Sequence, residues 1–212
     1  MKTLILSSLL CLFISVQPSF AEGDDGLYDP VAPKGTAFVR FFNTTDKETS
    51  FSVHGKKYDN VDGMELSPYY VQKNGDVDVA VGAGKVGQKL EEGHFYTAFV
   101  TDGTVKVLDD QSLQSRAKAL VVFYNLTKQD KLALKTADGK VEVIAPQEKN
   151  TAAGREMNGV KVSFAAFAAD KSKAVLPDIV LERGKAYAVI ASEGKDGSVT
   201  LKRFDAITNT KK

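Results

Sequence analysis

The sequence has no tryptophan, one cysteine and two histidines among its 212 residues. The cysteine, Cys11, lies in the apolar stretch near the N-terminus, so the remaining chain offers no disulfide, thiol nucleophile or thiolate metal ligand. Basic and acidic residues almost balance, with 28 Lys and Arg against 27 Asp and Glu. Such a balance provides no electrostatic attraction to nucleic acid or to an anionic membrane. The composition therefore excludes thiol chemistry and argues against nucleic acid as a partner.

Residues 1–21 have the layout of a secretory signal peptide. Lys2 supplies a positive charge, residues 4–16 are apolar, and Ala21 is a small residue at the expected cleavage position. The apolar run is shorter than the ~20 residues that a membrane-spanning helix needs. The sequence therefore predicts an exported protein whose leader is removed after Ala21.

The rest of the chain repeats itself. Residues 37–43 (AFVRFFN) are similar to residues 119–125 (ALVVFYN), and Gly93 and Tyr96 recur at the same spacing as Gly184 and Tyr187. Each Gly-x-x-Tyr segment precedes a strand-like run, an Asp-Gly pair and a second such run. This order and spacing indicate two copies of one small β domain.

Alternation of apolar and polar residues dominates both copies. In residues 76–81 (DVDVAV) the valines share one face, which is typical of a strand with one buried side. Asp-Gly pairs at positions 102–103, 138–139 and 196–197 favour tight hairpin turns, because glycine tolerates a positive φ. No segment has a sustained helical period. The sequence predicts an all-β protein of two tandem antiparallel β-sandwich domains, Ig-like or jelly-roll-like, joined by a short linker.

The same patterns predict the domain boundaries. The N-terminal sandwich covers residues 22–108, a mostly polar linker covers 109–117 with one helical turn at most, and the C-terminal sandwich covers 118–207. Residues 208–212 are expected to form a disordered tail. Tyr96 and Tyr187 are interpreted as buried tyrosine corners whose hydroxyls bond to nearby backbone, with a paired aromatic binding site as the alternative.

No pattern provides a catalytic, cofactor or metal site. His54 and His94 have no clustered ligands or nucleophile beside them, and both are interpreted as exposed polar residues rather than as a general base. Residues 82–87 match Gly-x-Gly-x-x-Gly, but a strand and not a helix follows, so they are expected to form a flexible β turn. Asp76 and Asp78 share a strand face, which is fewer carboxylates than a calcium site with about six to eight oxygens requires.

Three tyrosines are candidate platforms for a sugar. Tyr58, Tyr69 and Tyr70 are the aromatic residues in question, and residues 67–70 (SPYY) have a loop-like composition. The alternative is that these rings fold onto the sheet.

Several segments resemble the alginate O-acetylation protein family AlgF. They are residues 27–30 (LYDP), 32–35 (APKG), 38–40 (FVR), 125–126 (NL), 132–140 (LALKTADGK), 154–158 (GREMN) and 160–162 (VKV). The resemblance covers nearly all of the mature chain and is patchy over residues 58–89. None of these segments is a catalytic signature, so the resemblance is one of scaffold.

The resemblance implies a periplasmic, non-catalytic adaptor required for O-acetylation of the exopolysaccharide alginate. The implied partners are the periplasmic SGNH-type acetyltransferases and the membrane-bound O-acyltransferase of the pathway, with a weak polysaccharide contact in addition. Consistent with this, the chain has neither a Gly-Asp-Ser block nor an Asp-x-x-His block. Two alternatives stay open: an exopolysaccharide-binding module, and an acetyl carrier or transferase. The identity of the acetylated polymer also stays open.

Overall fold

The structure is a computed structural model that describes residues 33–209. These residues form strands and no helix, which confirms the all-β prediction. No helix capable of crossing a membrane is therefore found in this part of the chain. The predicted signal peptide, residues 1–21, lies outside the described residues.

Eight strands build each domain. The N-terminal domain contains β1 (Thr36–Phe42), β2 (Phe51–Val53), β3 (Lys56–Lys57), β4 (Tyr69–Lys73), β5 (Gly75–Val81), β6 (Gly84–Leu90), β7 (Phe95–Thr101) and β8 (Thr104–Asp110). The C-terminal domain contains β9 (Ala119–Leu126), β10 (Lys131–Thr136), β11 (Glu142–Glu148), β12 (Thr151–Met157), β13 (Lys161–Ala168), β14 (Lys171–Val180), β15 (Ala186–Glu193) and β16 (Val199–Asp205). A short strand, β17 (Thr208–Asn209), follows.

The two domains have the same strand order. The N-terminal inner sheet has the order β4-β1-β7-β8, and the N-terminal outer sheet has the order β3-β2-β5-β6. The C-terminal inner sheet, β12-β9-β15-β16, and the C-terminal outer sheet, β11-β10-β13-β14, repeat this order eight strands later. The repeated order confirms the duplication. In each inner sheet the two central strands are parallel, β1 with β7 and β9 with β15, so the sandwiches are not antiparallel throughout.

Local turn chemistry explains how the strands are joined. Asp102 and Gly103, with φ of 49° and 75°, form a two-residue turn between β7 and β8. Such positive values are what a type I′ hairpin requires. The turn expected over residues 82–87 is shorter than predicted: only Gly82 and Ala83 turn, and β6 begins at Gly84.

Both predicted tyrosine corners are present. The Tyr96 hydroxyl accepts a hydrogen bond from the Glu91 backbone N–H at 3.0 Å, and the Tyr187 hydroxyl accepts one from the Glu182 N–H at 3.0 Å. Both rings are buried in the core of their own sandwich. The structural interpretation of the Gly-x-x-Tyr segments is therefore confirmed, since neither ring is presented to a ligand.

Replacing Tyr187 by phenylalanine is expected to lower the free energy of unfolding by about 0.5–1.5 kcal/mol. The ring would stay buried, while the Glu182 N–H would lose its acceptor. Urea denaturation followed by circular dichroism measures the change, and Tyr96→Phe provides the matched variant in the other copy. Unchanged midpoints for both variants would show that the corners do not stabilise the sandwiches.

The ends of the domains differ from the predicted boundaries. β8 continues to Asp110, so Asp109 and Asp110 are strand residues and not linker, and residues 111–118 contain no helical turn. The predicted disordered tail begins with a strand, because β17 pairs in parallel with β4 of the N-terminal domain. The Tyr69 N–H donates to the Ile207 carbonyl at 2.8 Å, which fixes the start of this segment. Residues 210–212 lie outside the described part.

Candidate functional site at the domain junction

The two inner sheets pack against each other, so the described residues form one compact unit. Alternate residues of β1, β7, β9 and β15 point away from their own sandwich core and meet in a third apolar cluster. Its buried members are Phe42, Phe99, Leu120, Val122, Tyr124, Ala188 and Ile190. The molecule is thus a stack of four sheets, with an outer sheet at each end. The inner strands are buried on both faces, which is why residues 119–124 are apolar without alternation.

A buried polar cluster lies within this apolar junction. We call its five residues the junction cluster: Arg40 of β1, Tyr69 of β4, Thr97 of β7, Asp110 of β8 and Tyr124 of β9. The first four belong to the N-terminal domain, and Tyr124 is the contribution of the C-terminal domain. Arg40 and Asp110 form an ion pair, with a terminal guanidinium nitrogen 3.5 Å from Asp110 Oδ2. Their side chains are 2% and 1% exposed, so both charges are removed from water.

Every polar group of the junction cluster has a partner. The Asp110 carboxylate accepts from the hydroxyls of Tyr69 at 2.7 Å, Thr97 at 2.5 Å and Tyr124 at 2.6 Å. Arg40 donates from Nε to Thr97 Oγ1 at 2.8 Å and from a terminal nitrogen to the Tyr124 hydroxyl at 2.7 Å. The guanidinium also lies over the Tyr69 ring, 4.2 Å from its centre. Tyr124 therefore connects both charges of one domain to the other domain.

The electrostatics keep the cluster in one protonation pattern. Burial by itself would lower the pKa of Arg40, but Tyr124, Tyr69 and Asp110 raise it above its ordinary value. Burial also raises the pKa of Asp110, although Arg40 and the hydroxyl donors oppose that shift. Burial raises the pKa of Tyr69 and of Tyr124, so both hydroxyls remain donors. A cluster of this kind, in which each charged or hydroxyl group bonds to another member, fixes a geometry.

Three exposed ion pairs also join the domains. The lysine Nζ to carboxylate oxygen distances are 3.0 Å for Lys149 and Asp102, 2.7 Å for Lys195 and Asp46, and 2.9 Å for Lys202 and Glu65. Exposed pairs contribute little energy individually. They nevertheless show that charges of the two domains are matched around the margin of the apolar junction.

An open cleft of about 390 Å³ lies beside the junction cluster. His94, Phe95, Asp109 and Ser112 are among its lining residues, and so is Asp110 of the junction cluster. His94 Nδ1 is 2.9 Å from Asp109 Oδ2, and the other ring nitrogen faces a Glu91 carboxylate oxygen at 3.7 Å.

The ring of His94 is thus oriented by Asp109, while Glu91 lies beyond hydrogen-bond distance. Ser112 Oγ accepts from Gln114 Nε2 at 2.8 Å. These contacts of His94 and of Ser112 do not place a hydroxyl nucleophile beside the imidazole. In the second copy a lysine, Lys185, follows the equivalent Gly184 and contacts Glu182 at 2.9 Å.

The other predicted candidates lie apart from the junction. His54 is exposed, as expected, but it lies in the turn after β2 with a φ of 50° and not in a strand. Asp76 and Asp78 are exposed on β5, and Asp78 is paired with Lys85 at 2.8 Å. Among residues 33–209, no group of three or more His, Cys, Asp or Glu side chains is placed to hold a metal ion.

The tyrosine platform is not formed as predicted. Tyr69 and Tyr70 are buried neighbours on β4 and not loop residues. Tyr70 points into the N-terminal core, where Tyr58 packs on it with ring centres 4.3 Å apart, while Tyr69 points into the junction. The alternative interpretation, rings folded onto the sheet, is the one that the structure supports.

The fold and the junction define a class: a tandem β-sandwich protein whose two related domains pack against each other as one compact unit. The chain belongs to the AlgF family, because the family model described as "Alginate O-acetyl transferase AlgF" matches residues 10–188. The chain is similar to the alginate biosynthesis protein AlgF of Pseudomonas putida, with 36% identity over 200 residues that cover 94% of this chain and 91% of that protein. The corresponding protein of Pseudomonas aeruginosa is 34% identical over 196 residues, covering 91% and 90% of the two chains.

Two solved structures are also similar to parts of the chain. The C-terminal domain of AlgF from P. aeruginosa matches with a TM-score of 0.36 and 36% identity, covering 42% of this chain and 98% of that one. The N-terminal domain of the same protein matches with a TM-score of 0.35 and 26% identity, covering 38% of this chain and all of that one. The family resemblance of the sequence is confirmed by the family model and by the relatives.

Proposed function

We propose that this protein acts in the periplasm as a non-catalytic adaptor in the O-acetylation of alginate. In this role it holds together the membrane-bound O-acyltransferase and the SGNH-type acetyltransferases that transfer the acetyl group. The family description and the names of the relatives support alginate O-acetylation as the process.

One observation carries the adaptor role: the two sandwiches are stacked on each other at the junction. The polar junction cluster and the apolar cluster around it hold the inner sheets together, which leaves the two outer sheets at opposite ends of the molecule. A partner on one outer sheet would then have a fixed position relative to a partner on the other. Fixing two partners in this way raises the effective concentration of each for the other.

Recovery of acetyl-transfer proteins with the tagged full chain tests the proposal. The tagged protein should first restore acetylation of the polymer in a strain that lacks the native copy. Cross-linking in the living cell, followed by purification, should then recover the O-acyltransferase or an SGNH-type acetyltransferase. Recovery of neither, from cells with restored acetylation, would contradict the adaptor role. A tagged periplasmic protein of another pathway is the control for nonspecific recovery.

A second candidate function is acetyl transfer by the chain itself, which the family description favours by its wording. The purified full chain would then hydrolyse a small acetyl ester or carry an acetyl group after incubation with an acetyl donor. We expect no turnover above the buffer rate and an unchanged intact mass. An added acetyl group on a serine, or ester hydrolysis that a single substitution abolishes, would favour the transferase over the adaptor.

A further inference from the structure

The chain passes from one domain to the other a second time, after β16. The Ala206 N–H donates to the Ala186 carbonyl of the C-terminal domain at 2.9 Å. The carbonyl of the next residue, Ile207, accepts from the Tyr69 N–H of the N-terminal domain at 2.8 Å. We call residues 207–209 the crossing segment. It contacts the N-terminal domain at a place that is distant in sequence from the linker.

The crossing segment covers the edge of the N-terminal inner sheet. Thr208 and Asn209, which form β17, lie parallel to β4 in register with Tyr69 and Tyr70. Without β17, β4 would be an edge strand with unpaired N–H and C=O groups. Tyr69 is therefore held twice, because its backbone pairs with the crossing segment while its hydroxyl and ring belong to the junction cluster.

The linker and the crossing segment continue equivalent strands of the two copies. The tyrosine corner of each domain lies opposite an aspartate of the last strand, Asp109 in the first copy and Asp205 in the second. Gln111 of the linker and Ile207 of the crossing segment each lie two positions after that aspartate. These two residues are therefore equivalent.

The strands that they contact are equivalent as well. In the repeated segments, Val39 pairs with the residue after Tyr69, and Val121 pairs with the residue after Gly154. Tyr69 of β4 and Gly154 of β12 therefore hold the same position. Gln111 packs so closely on Gly154 that a Cβ at this glycine would lie 2.6 Å from Gln111 Oε1. The linker thus contacts β12 where the crossing segment contacts β4.

The chain has no slack at the second crossing. Ala206 is bonded to one domain and Ile207 to the other, and consecutive Cα atoms are only about 3.8 Å apart. Separation of the two domains must therefore break one of these bonds. The linker has to cross because it connects the domains. The crossing segment leads to no later strand among residues 33–209 and still takes the equivalent path.

We infer that the crossing segment is a clasp: it holds the two domains docked, and its release from β4 is the step that allows the junction to open. The clasp is a property of the fold and goes beyond the proposed adaptor role. It acts through backbone pairing, since the Ile207 side chain is 63% exposed while its carbonyl is bonded.

The rate of thiol labelling in the mature chain tests the clasp. The sequence has a single cysteine, Cys11, within the predicted signal peptide, so one introduced cysteine is the only target. Ala188→Cys places a thiol in the junction, which is labelled only when the domains separate. Ala191→Cys, on the same strand, places one in the C-terminal core, which is labelled only when that domain unfolds. Each rate reports the population of the open state when closing is faster than labelling.

Truncation after Ala206 is expected to accelerate labelling of Ala188→Cys roughly five- to thirty-fold, the factor that one or two backbone hydrogen bonds provide. Labelling of Ala191→Cys should not change. No acceleration at position 188 would overturn the inference. Equal acceleration at both positions would also overturn it, because the segment would then stabilise the C-terminal domain and not the docking.

Two point variants separate backbone pairing from side-chain packing. Asn209→Pro keeps the residues that follow but cannot donate to the ladder with β4, so it should accelerate labelling of Ala188→Cys in the same direction as truncation. Ile207→Ala is the matched control. It keeps the bonded carbonyl and changes an exposed side chain, so labelling should stay at the wild-type rate. An effect of Ile207→Ala as large as that of Asn209→Pro would contradict a clasp made by backbone pairing.

Discussion

Replacing Asp110 by asparagine is expected to lower the free energy of unfolding by about 3–5 kcal/mol. The variant would leave the guanidinium of Arg40 buried without a negative partner, and arginine does not release its proton in proteins. Asparagine keeps one acceptor oxygen, but its NH2 group cannot accept, so the hydroxyls of Tyr69, Thr97 and Tyr124 would lose one of the two carboxylate oxygens to which they donate. Urea or guanidinium denaturation of the full chain measures this loss.

Arg40→Met is expected to cost less, about 1–3 kcal/mol. Asp110 would keep its three hydroxyl donors and, unlike arginine, can be neutralised by a proton. Burial already raises the pKa of Asp110, and removing the Arg40 charge raises it further. A carboxyl whose pKa is higher in the folded state stabilises the fold at low pH and loses that contribution as the pH rises through its folded value. The deficit of Arg40→Met relative to the wild type should therefore be smaller at acidic than at neutral pH.

The double variant completes the comparison. Combining Arg40→Met with Asp110→Asn should cost less than the sum of the two changes, because neither charge is left unpaired. Asp102→Asn, which breaks the exposed pair with Lys149, is the control and should change stability far less than either buried variant. Additive effects, or an Asp110→Asn variant as stable as the control, would show that the junction cluster does not behave as a buried ion pair.

Local signals in the sequence explain what could be predicted. The Asp-Gly turn at Asp102 depends on residues next to each other, and the Tyr187 corner depends on a partner five positions away. Such contacts leave a pattern within a short window. That both sandwiches have the same strand order follows from the repetition of these patterns.

The junction cannot be predicted from local patterns because its contacts join distant parts of the chain. Asp110 stands in a polar stretch typical of a linker, and nothing near it in the sequence indicates its ion pair with Arg40 or its hydrogen bond with Tyr124. Pro68 made the tyrosines after it appear loop-like, whereas they belong to a strand buried on both sides. One signal was available: residues 119–124 are apolar at every position, and a strand that is apolar on both faces indicates burial on both faces. Residues 37–42 have the same pattern, in which Arg40 is the one charged residue.

Replacing Ile190 by aspartate is expected to separate the two domains without unfolding either of them. Ile190 is 1% exposed in the apolar junction and points away from the core of its own sandwich. An uncompensated charge there costs on the order of 3–5 kcal/mol, and undocking relieves it by bringing the carboxylate into water. The far-UV circular dichroism should stay that of β-sheet, while small-angle scattering shows a larger radius of gyration. Hydrogen exchange should become faster in β1 and β9.

The neighbouring residue provides the matched control. Val189 lies on the opposite face of β15 and is fully buried in the C-terminal core. Val189→Asp should therefore unfold the C-terminal domain and leave the N-terminal domain folded. If Ile190→Asp behaved in the same way, the junction would be part of the C-terminal core and not a separate interface.

The undocked variant also distinguishes two ways in which an adaptor could work. A flexible tether raises the effective concentration of one partner for another without fixing their orientation. A rigid bridge raises the effective concentration and also fixes the orientation of the two partners. If Ile190→Asp still binds acetyl-transfer partners but no longer restores polymer acetylation, the fixed orientation imposed by the junction is required for function. If acetylation is restored in full, tethering is sufficient, and the junction cluster serves stability alone.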